Sequence, residues 1–200
     1  MRPKTLLAVV ALAICVCISA PRAFASNLIN NGSFETGDFT GWTTGGNFED
    51  TEVVTGPFGP YTGAQDGSFY AVMGPVGSDG TLSQTFADTA GSHLTFSFWL
   101  NAVGDDPSDF SAMWNGTTVL SLTDPNTGGV WTQFTFNETG TGNDTITFSF
   151  RDDPAFIALD NVSVSPATGG TTPEPSSLLL LGTGVLGMGG MVRRKLRSGR

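Results

Sequence analysis

Three stretches of this chain place an apolar residue at every second position, and that rhythm fixes the class of fold. Segment 92–100 reads Ser-His-Leu-Thr-Phe-Ser-Phe-Trp-Leu, segment 144–150 reads Asp-Thr-Ile-Thr-Phe-Ser-Phe, and segment 132–136 reads Thr-Gln-Phe-Thr-Phe. Successive side chains of a strand point to opposite faces, so Leu94, Phe96, Phe98 and Leu100 share one face, and Ile146, Phe148 and Phe150 share another. Those faces predict the core, with the intervening Ser and Thr outside it. Further strands are predicted at 27–30, 52–55, 67–73, 81–86, 110–114, 117–122 and 157–164. Asn115-Gly116 between two apolar runs predicts a two-residue hairpin. No amphipathic helical period of useful length precedes residue 173. Short strands punctuated by Gly, Pro and Asp predict an all-β fold, a sandwich of two antiparallel sheets.

The ends have a different composition. Arg2 and Lys4, an apolar stretch 6–20 and Ala23-Phe24-Ala25 predict an N-terminal signal helix over 1–25, cleaved before Ser26. Both cysteines, Cys15 and Cys17, fall inside it, so the mature chain is expected to hold no disulfide and no thiolate ligand. Residues 26–166 then form one β-sandwich domain, and 167–172 (Ala-Thr-Gly-Gly-Thr-Thr) a flexible linker. Between Ser26 and Thr172 the only basic residue is Arg151, whereas all of the chain's 18 acids except Glu174 fall there. Such a surface repels nucleic acid and anionic lipid and suits divalent cations or neutral polymers. Solubility alone accounts for it equally well.

The last segment, 173–200, opens with Pro173-Glu174-Pro175, continues through an apolar run at 178–192, and ends with Arg193-Arg194-Lys195-Leu196-Arg197. As a helix the run reaches about 22 Å, short of a hydrocarbon core of about 30 Å, and Gly182, Gly184, Gly187, Gly189 and Gly190 weaken it further. It is expected to be a temporary transmembrane anchor whose basic end stays cytoplasmic. The string Gly182-x-Gly184-x-x-Gly187 matches a dinucleotide fingerprint but lacks the strand, helix and downstream acid that motif needs. Motif, apolar run and basic end in this order resemble the PEP-CTERM sorting signal. The resemblance implies recognition of Pro173, Glu174 and Pro175 by a membrane-embedded exosortase. It also implies export to the cell surface or the exopolysaccharide matrix.

A second resemblance concerns the body. Asn31-Gly32-Ser33-Phe34-Glu35-Thr36-Gly37-Asp38-Phe39-Thr40-Gly41-Trp42, Thr81-Leu82-Ser83-Gln84-Thr85-Phe86 and Ile157-Ala158-Leu159-Asp160-Asn161-Val162-Ser163-Val164 resemble, in that order, the galactose-binding-like jelly rolls that include many carbohydrate-binding modules. The resemblance implies a jelly-roll sandwich and a structural calcium ion held by Glu35 and Asp160, with backbone carbonyls completing the shell. The alternative is that Glu35 caps a turn and Asp160 bonds to backbone. A sugar site would need exposed aromatics; Trp99 and Trp131 point away from the Phe98 and Phe134 faces and are the candidates, against ordinary packing roles.

Catalysis is not expected. His93 is the only histidine, and nothing around Ser92 or Ser97 forms a nucleophile elbow. The pairs Asp105-Asp106 and Asp152-Asp153 read as turn formers rather than as a glycosidase acid and base. Asp124-x-Asn126-x-Gly128 hints at a calcium loop, but Thr135 stands where an EF-hand needs Glu. The chain is therefore expected to be a structural or adhesive envelope component, or else a calcium-stabilised carbohydrate-binding module.

Overall fold

The computed structural model describes residues 26–104 and 107–167. The signal segment, Asp105-Asp106 and the sorting segment with its apolar run lie outside the described residues. Ten strands occur among them: β1 (Thr43–Gly46), β2 (Thr51–Thr55), β3 (Phe69–Met73), β4 (Gly80–Ala87), β5 (His93–Asn101), β6 (Ser108–Trp114), β7 (Thr117–Thr123), β8 (Thr132–Thr139), β9 (Asn143–Asp152) and β10 (Ile157–Pro166). They form two five-stranded antiparallel sheets, the first ordered β1-β4-β9-β6-β7 and the second β2-β3-β10-β5-β8. No described helix is long and apolar enough to cross a membrane.

The alternation read from the sequence sorts the side chains as expected. Leu94, Phe96, Phe98 and Leu100 of β5, and Ile146, Phe148 and Phe150 of β9, are fully buried between the sheets. Phe98 meets Phe148 at 5.1 Å in an edge contact and Phe110 of β6 at 5.7 Å, so β5 faces β9 and β6 across the core. Edge and tilted geometries of this kind add about 0.5–1.5 kcal/mol per pair to the burial itself. Every member of the two hydrophobic clusters lies between Leu28 and Val164. The sandwich thus holds its whole described core within one compact unit. At the Asn115-Gly116 hairpin both residues have positive φ (49° and 78°), which matches the right-handed twist of β6 and β7.

Two places depart from the sequence reading. Residues 27–30 form turns rather than a strand. The Asn27 side chain occupies the position of a ladder there: its Nδ2 donates to the Val162 carbonyl (3.0 Å) and its Oδ1 accepts from Val164 N (3.0 Å) and Ile29 N (3.0 Å). Conversely, β1 reads Thr-Thr-Gly-Gly and has no apolar alternation to betray it. Its flanks do the packing, with Trp42 before it and Phe48 after it.

Candidate functional site

Glu35 and Asp160 converge on one loop, residues 65–69, just before β3. Glu35 Oε1 accepts hydrogen bonds from Ser68 N (2.8 Å) and Phe69 N (2.9 Å). Asp160 Oδ2 accepts from Gln65 N (2.8 Å) and Asp66 N (2.9 Å), and its Oδ1 from Asn161 N (2.6 Å). Asn161 then clasps Gln65 Oε1 through Nδ2 at 2.8 Å. The loop turns at Gly67 (φ 68°), where a Cβ would run into the Glu35 carboxylate.

Asp160 is fully buried, and among the described residues no cationic side chain is beside it. Burial raises its pKa from 3.8 to about 7; the amides of Asp66, Asn161 and Gln65 oppose this, and the Asp66 carboxylate adds to it. Backbone N–H groups occupy both Asp160 oxygens and Glu35 Oε1, the arrangement in which the carboxylates bond to backbone. The side-chain count is small, since no three Asp, Glu, His or Cys side chains among the described residues are grouped to hold a metal. A calcium shell here would take Glu35 and Asp160 and draw its remaining oxygens from backbone carbonyls.

Trp99 and Trp131 both lie on the outer face of the second sheet. In β5, Trp99 stands between Asp160 of β10 and Gln133 of β8. The two tryptophans do different things. Trp131 donates from Nε1 to the Gly63 carbonyl (3.0 Å) and sets its ring perpendicular to Tyr70 at 5.8 Å. It thereby pins the segment 56–66, which crosses this face and buries a second cluster of Tyr61, Tyr70, Val72 and Ala158. Tyr61 OH donates to the Phe156 carbonyl and Tyr70 OH to that of Gly56 (2.9 Å), anchoring the same segment. Trp99 is half-buried and belongs to neither cluster. The other two tryptophans, Trp42 and Trp114, are core residues at 8% and 5% exposure.

This second layer is what sequence reasoning missed. Its signal was present: β3 reads Phe-Tyr-Ala-Val-Met and β10 begins Ile-Ala-Leu, apolar at both parities, as strands covered on both faces are.

The other described candidates make local contacts. Asp153 accepts from Gly77 N (3.0 Å) and sits 3.9 Å from Arg151, which also pairs with Asp109 at 3.3 Å. Asp152 is buried. Asp124 accepts from Ser108 N (3.0 Å) and Asn126 from Gly128 N (2.8 Å), so that motif is a tied turn. His93 is exposed at the start of β5.

Asp144 was not singled out by the sequence. It is buried at the start of β9 and accepts from Asn115 Nδ2 (2.6 Å), Thr141 Oγ1 (2.6 Å) and Thr141 N (3.0 Å). Burial pushes its pKa up, but the bonds from Thr141 and Asn115 outweigh that and hold it below the usual value. Its neighbour Asp88 is pushed up by burial and by Asp144.

Comparison with known proteins places both ends of this picture. The family model described as the PEP-CTERM protein-sorting motif matches residues 171–195, so the chain carries that motif, which implies exosortase-dependent export. No curated protein matches the chain. Among solved structures, the carbohydrate-binding module TmCBM61, determined with beta-1,4-galactotriose, superposes with a TM-score of 0.59 at 19% identity, over 72% of this chain and 100% of that one. The K3 cleaved adhesin domain of Lys-gingipain from Porphyromonas gingivalis W83 gives 0.53 at 17%, over 72% and 100%. A cyclase from Fischerella sp. TAU, solved with 4-(1H-indol-3-yl)butan-2-one, gives 0.51 at 16%, over 72% and 99%. At these identities the likeness is one of fold: the body is a jelly-roll sandwich of the architecture used by a sugar binder, an adhesin domain and an enzyme alike.

Proposed function

We propose that the sandwich is a structural or adhesive component of the cell surface or exopolysaccharide matrix, released from a temporary membrane anchor by an exosortase. The observation that carries this reading is the sorting motif at 171–195 joined to a body whose aromatics are engaged in packing. Catalysis is not part of this proposal: the lone histidine is exposed at a strand start, and the Asp152-Asp153 pair is divided between a buried position and a turn. The test is to replace Pro173, Glu174 and Pro175 by Ala in the full chain and follow it by cell fractionation. Accumulation of unprocessed protein in the membrane fraction is expected. Unchanged processing and release refutes the reading.

One observation favours a second reading, a carbohydrate-binding module stiffened by calcium. Trp99 is half-buried beside Ser97, Thr95, Gln133, Thr135 and Asn137 on the part of the face made by β5 and β8, polar side chains of the kind that can border a sugar-stacking ring. Glu35 and Asp160 would hold the cation, which would supply the positive charge that Asp160 lacks. A glycan array probed with parent and Trp99→Ala chains decides it. Binding lost with Trp99→Ala supports the module, and no binding by the parent removes it.

A further inference from the structure

The outer face of the second sheet is covered at one end of β5 and open at the other. The β5 side chains that point to this face are Thr95, Ser97, Trp99 and Asn101. Asn101 is buried: its Nδ2 donates to the Gly129 carbonyl (3.2 Å) and its Oδ1 accepts from Thr127 Oγ1 (3.3 Å). Its partner across the ladder, Ala158 of β10, is buried in the second cluster. The rings of Tyr70 in β3 and of Trp131, just before β8, stand 5.8 Å apart although β10 and β5 lie between those strands, so both lean over this row. Trp99 is the last side chain on this face of β5 that is not buried. Beside it on β10, Asp160 is covered by the Gln65 and Asp66 amides. Trp99 thus occupies a corner, with loop 127–129 and segment 56–66 ahead of it and residues 65–66 on one flank.

Behind the corner the face is open and uncharged. Ser97 lies between Ser163 of β10 and Thr135 of β8, and Thr95 between Ser165 and Asn137. None of these side chains ionises, on a body otherwise rich in acids. From Trp99 back to Thr95 the rows span about 13 Å. Their chemistry selects the occupant. One aromatic ring among hydroxyls and amides lacks the apolar centre of a protein interface. A sugar ring, in contrast, has an apolar face to lay on the indole and hydroxyl edges to bond to Ser, Thr and Asn. The acids around these rows repel an anionic chain and leave a neutral one unopposed.

We propose that this corner takes the end of a neutral glycan chain: the terminal ring stacks on Trp99, and the rings behind it run back along β5 over Ser97 and Thr95. The site is that of the carbohydrate-binding reading, on which the proposal rests; what is added is the part of the chain that is recognised. A face open at both ends of its strands would grip a chain anywhere along its length. Here the row beyond Trp99 is filled, so a chain lying along β5 with an internal ring on Trp99 would drive its next ring into Trp131 and segment 56–66.

Residues 26–166, which carry the whole described core, are the material for the test. A neutral polysaccharide bound on the glycan array is compared, as a soluble inhibitor, with its own fragments made by partial hydrolysis. Cutting the polymer to about a tenth of its length multiplies its ends about tenfold and should improve inhibition at equal mass about tenfold. Per chain, affinity should level off once the fragments outrun the rows. Trp99→Ala should abolish binding of every fragment. Ser97→Ala with Thr135→Ala removes two hydroxyls behind the ring; it should weaken the longer fragments about fivefold and leave the free monosaccharide as in the parent. Thr147→Ala, on the outer face of the first sheet, should bind as the parent does. Circular dichroism and melting confirm that each variant is folded. Inhibition that follows mass rather than ends, per-chain affinity that keeps rising with length, or equal weakening of monosaccharide and longer fragments by the double variant overturns chain-end recognition and leaves the carbohydrate-binding reading standing. Binding that survives Trp99→Ala, or a parent that binds no glycan, overturns both.

Discussion

Asp160→Asn should reverse the sign of its effect with pH. A carboxyl whose folded pKa stands near 7, against 3.8 ordinarily, binds its proton more tightly in the folded state. Its contribution to stability is therefore full below the ordinary value and is lost as the pH rises through 7, by up to about 4 kcal/mol. Asn keeps a carbonyl acceptor for Gln65 N and Asp66 N but gives up the acceptor for Asn161 N, at about 1 kcal/mol. With chelator present, Asp160→Asn is expected to be slightly less stable than the parent near pH 4.5 and more stable, by a few kcal/mol, near pH 8.5. Asp160→Ala strands all three amides and should lie about 2–4 kcal/mol below Asp160→Asn at both pH values. Urea unfolding followed by tryptophan fluorescence measures these differences, and taking them between variants cancels the slopes of Asp88, Asp109 and Glu138. Millimolar calcium, on the second reading of function, should raise the parent at high pH and leave both variants unchanged. Parent and Asp160→Asn curves that run parallel across this range in chelator would falsify the account of a buried, uncompensated carboxylate.

Other outcomes follow from single contacts. Gly67→Ala drives a Cβ into the Glu35 carboxylate at a positive-φ position; it should destabilise by about 1–3 kcal/mol in thermal melts and expose the 65–69 amides to exchange. Phe148→Ala empties the point where the rings of Phe96, Phe98, Phe110 and Trp42 meet, and should cost about 3–5 kcal/mol by urea unfolding. Asp88→Asn replaces an acid held above its usual pKa beside Asp144 with a neutral donor. It should melt above the parent at neutral pH, and the gain should vanish in acid where Asp88 is itself protonated. Asp144 behaves oppositely: its contribution is present above the ordinary 3.8 and is lost as the pH falls below it, so Asp144→Asn should flatten the acid limb of the melting profile.

What could be read in advance was decided by which physical signal was local. The faces of β5, β8 and β9 follow from period two alone, because each side chain there faces either core or solvent. The Asn115-Gly116 hairpin follows from backbone sterics at two adjacent residues. β1 and the 27–30 segment failed for one reason: their partners lie far along the chain. Asn27 bonds to residues of β10, and β1 exists because β4 supplies its ladder. The Glu35 and Asp160 pair was found by resemblance, but its geometry was not readable, since a carboxylate facing amides and one facing a cation have the same sequence. Asp144 looked like the polar start of a strand, and only the approach of Thr141 and Asn115 makes it a buried acceptor.

The distinction between scaffold and sugar binder rests on which aromatics are released from packing. A ring that stacks on a pyranose must keep one face open, whereas Trp42 and Trp114 lie in the core, and Tyr61, Tyr70 and Trp131 hold down the segment that crosses the second sheet. That leaves Trp99 alone, beside the buried carboxylate that accepts from the amides of the neighbouring loop. A single platform makes few contacts and gives weak binding, so on this body useful adhesion requires many copies acting together. Two weak sites held together bind through effective concentration rather than through new contacts.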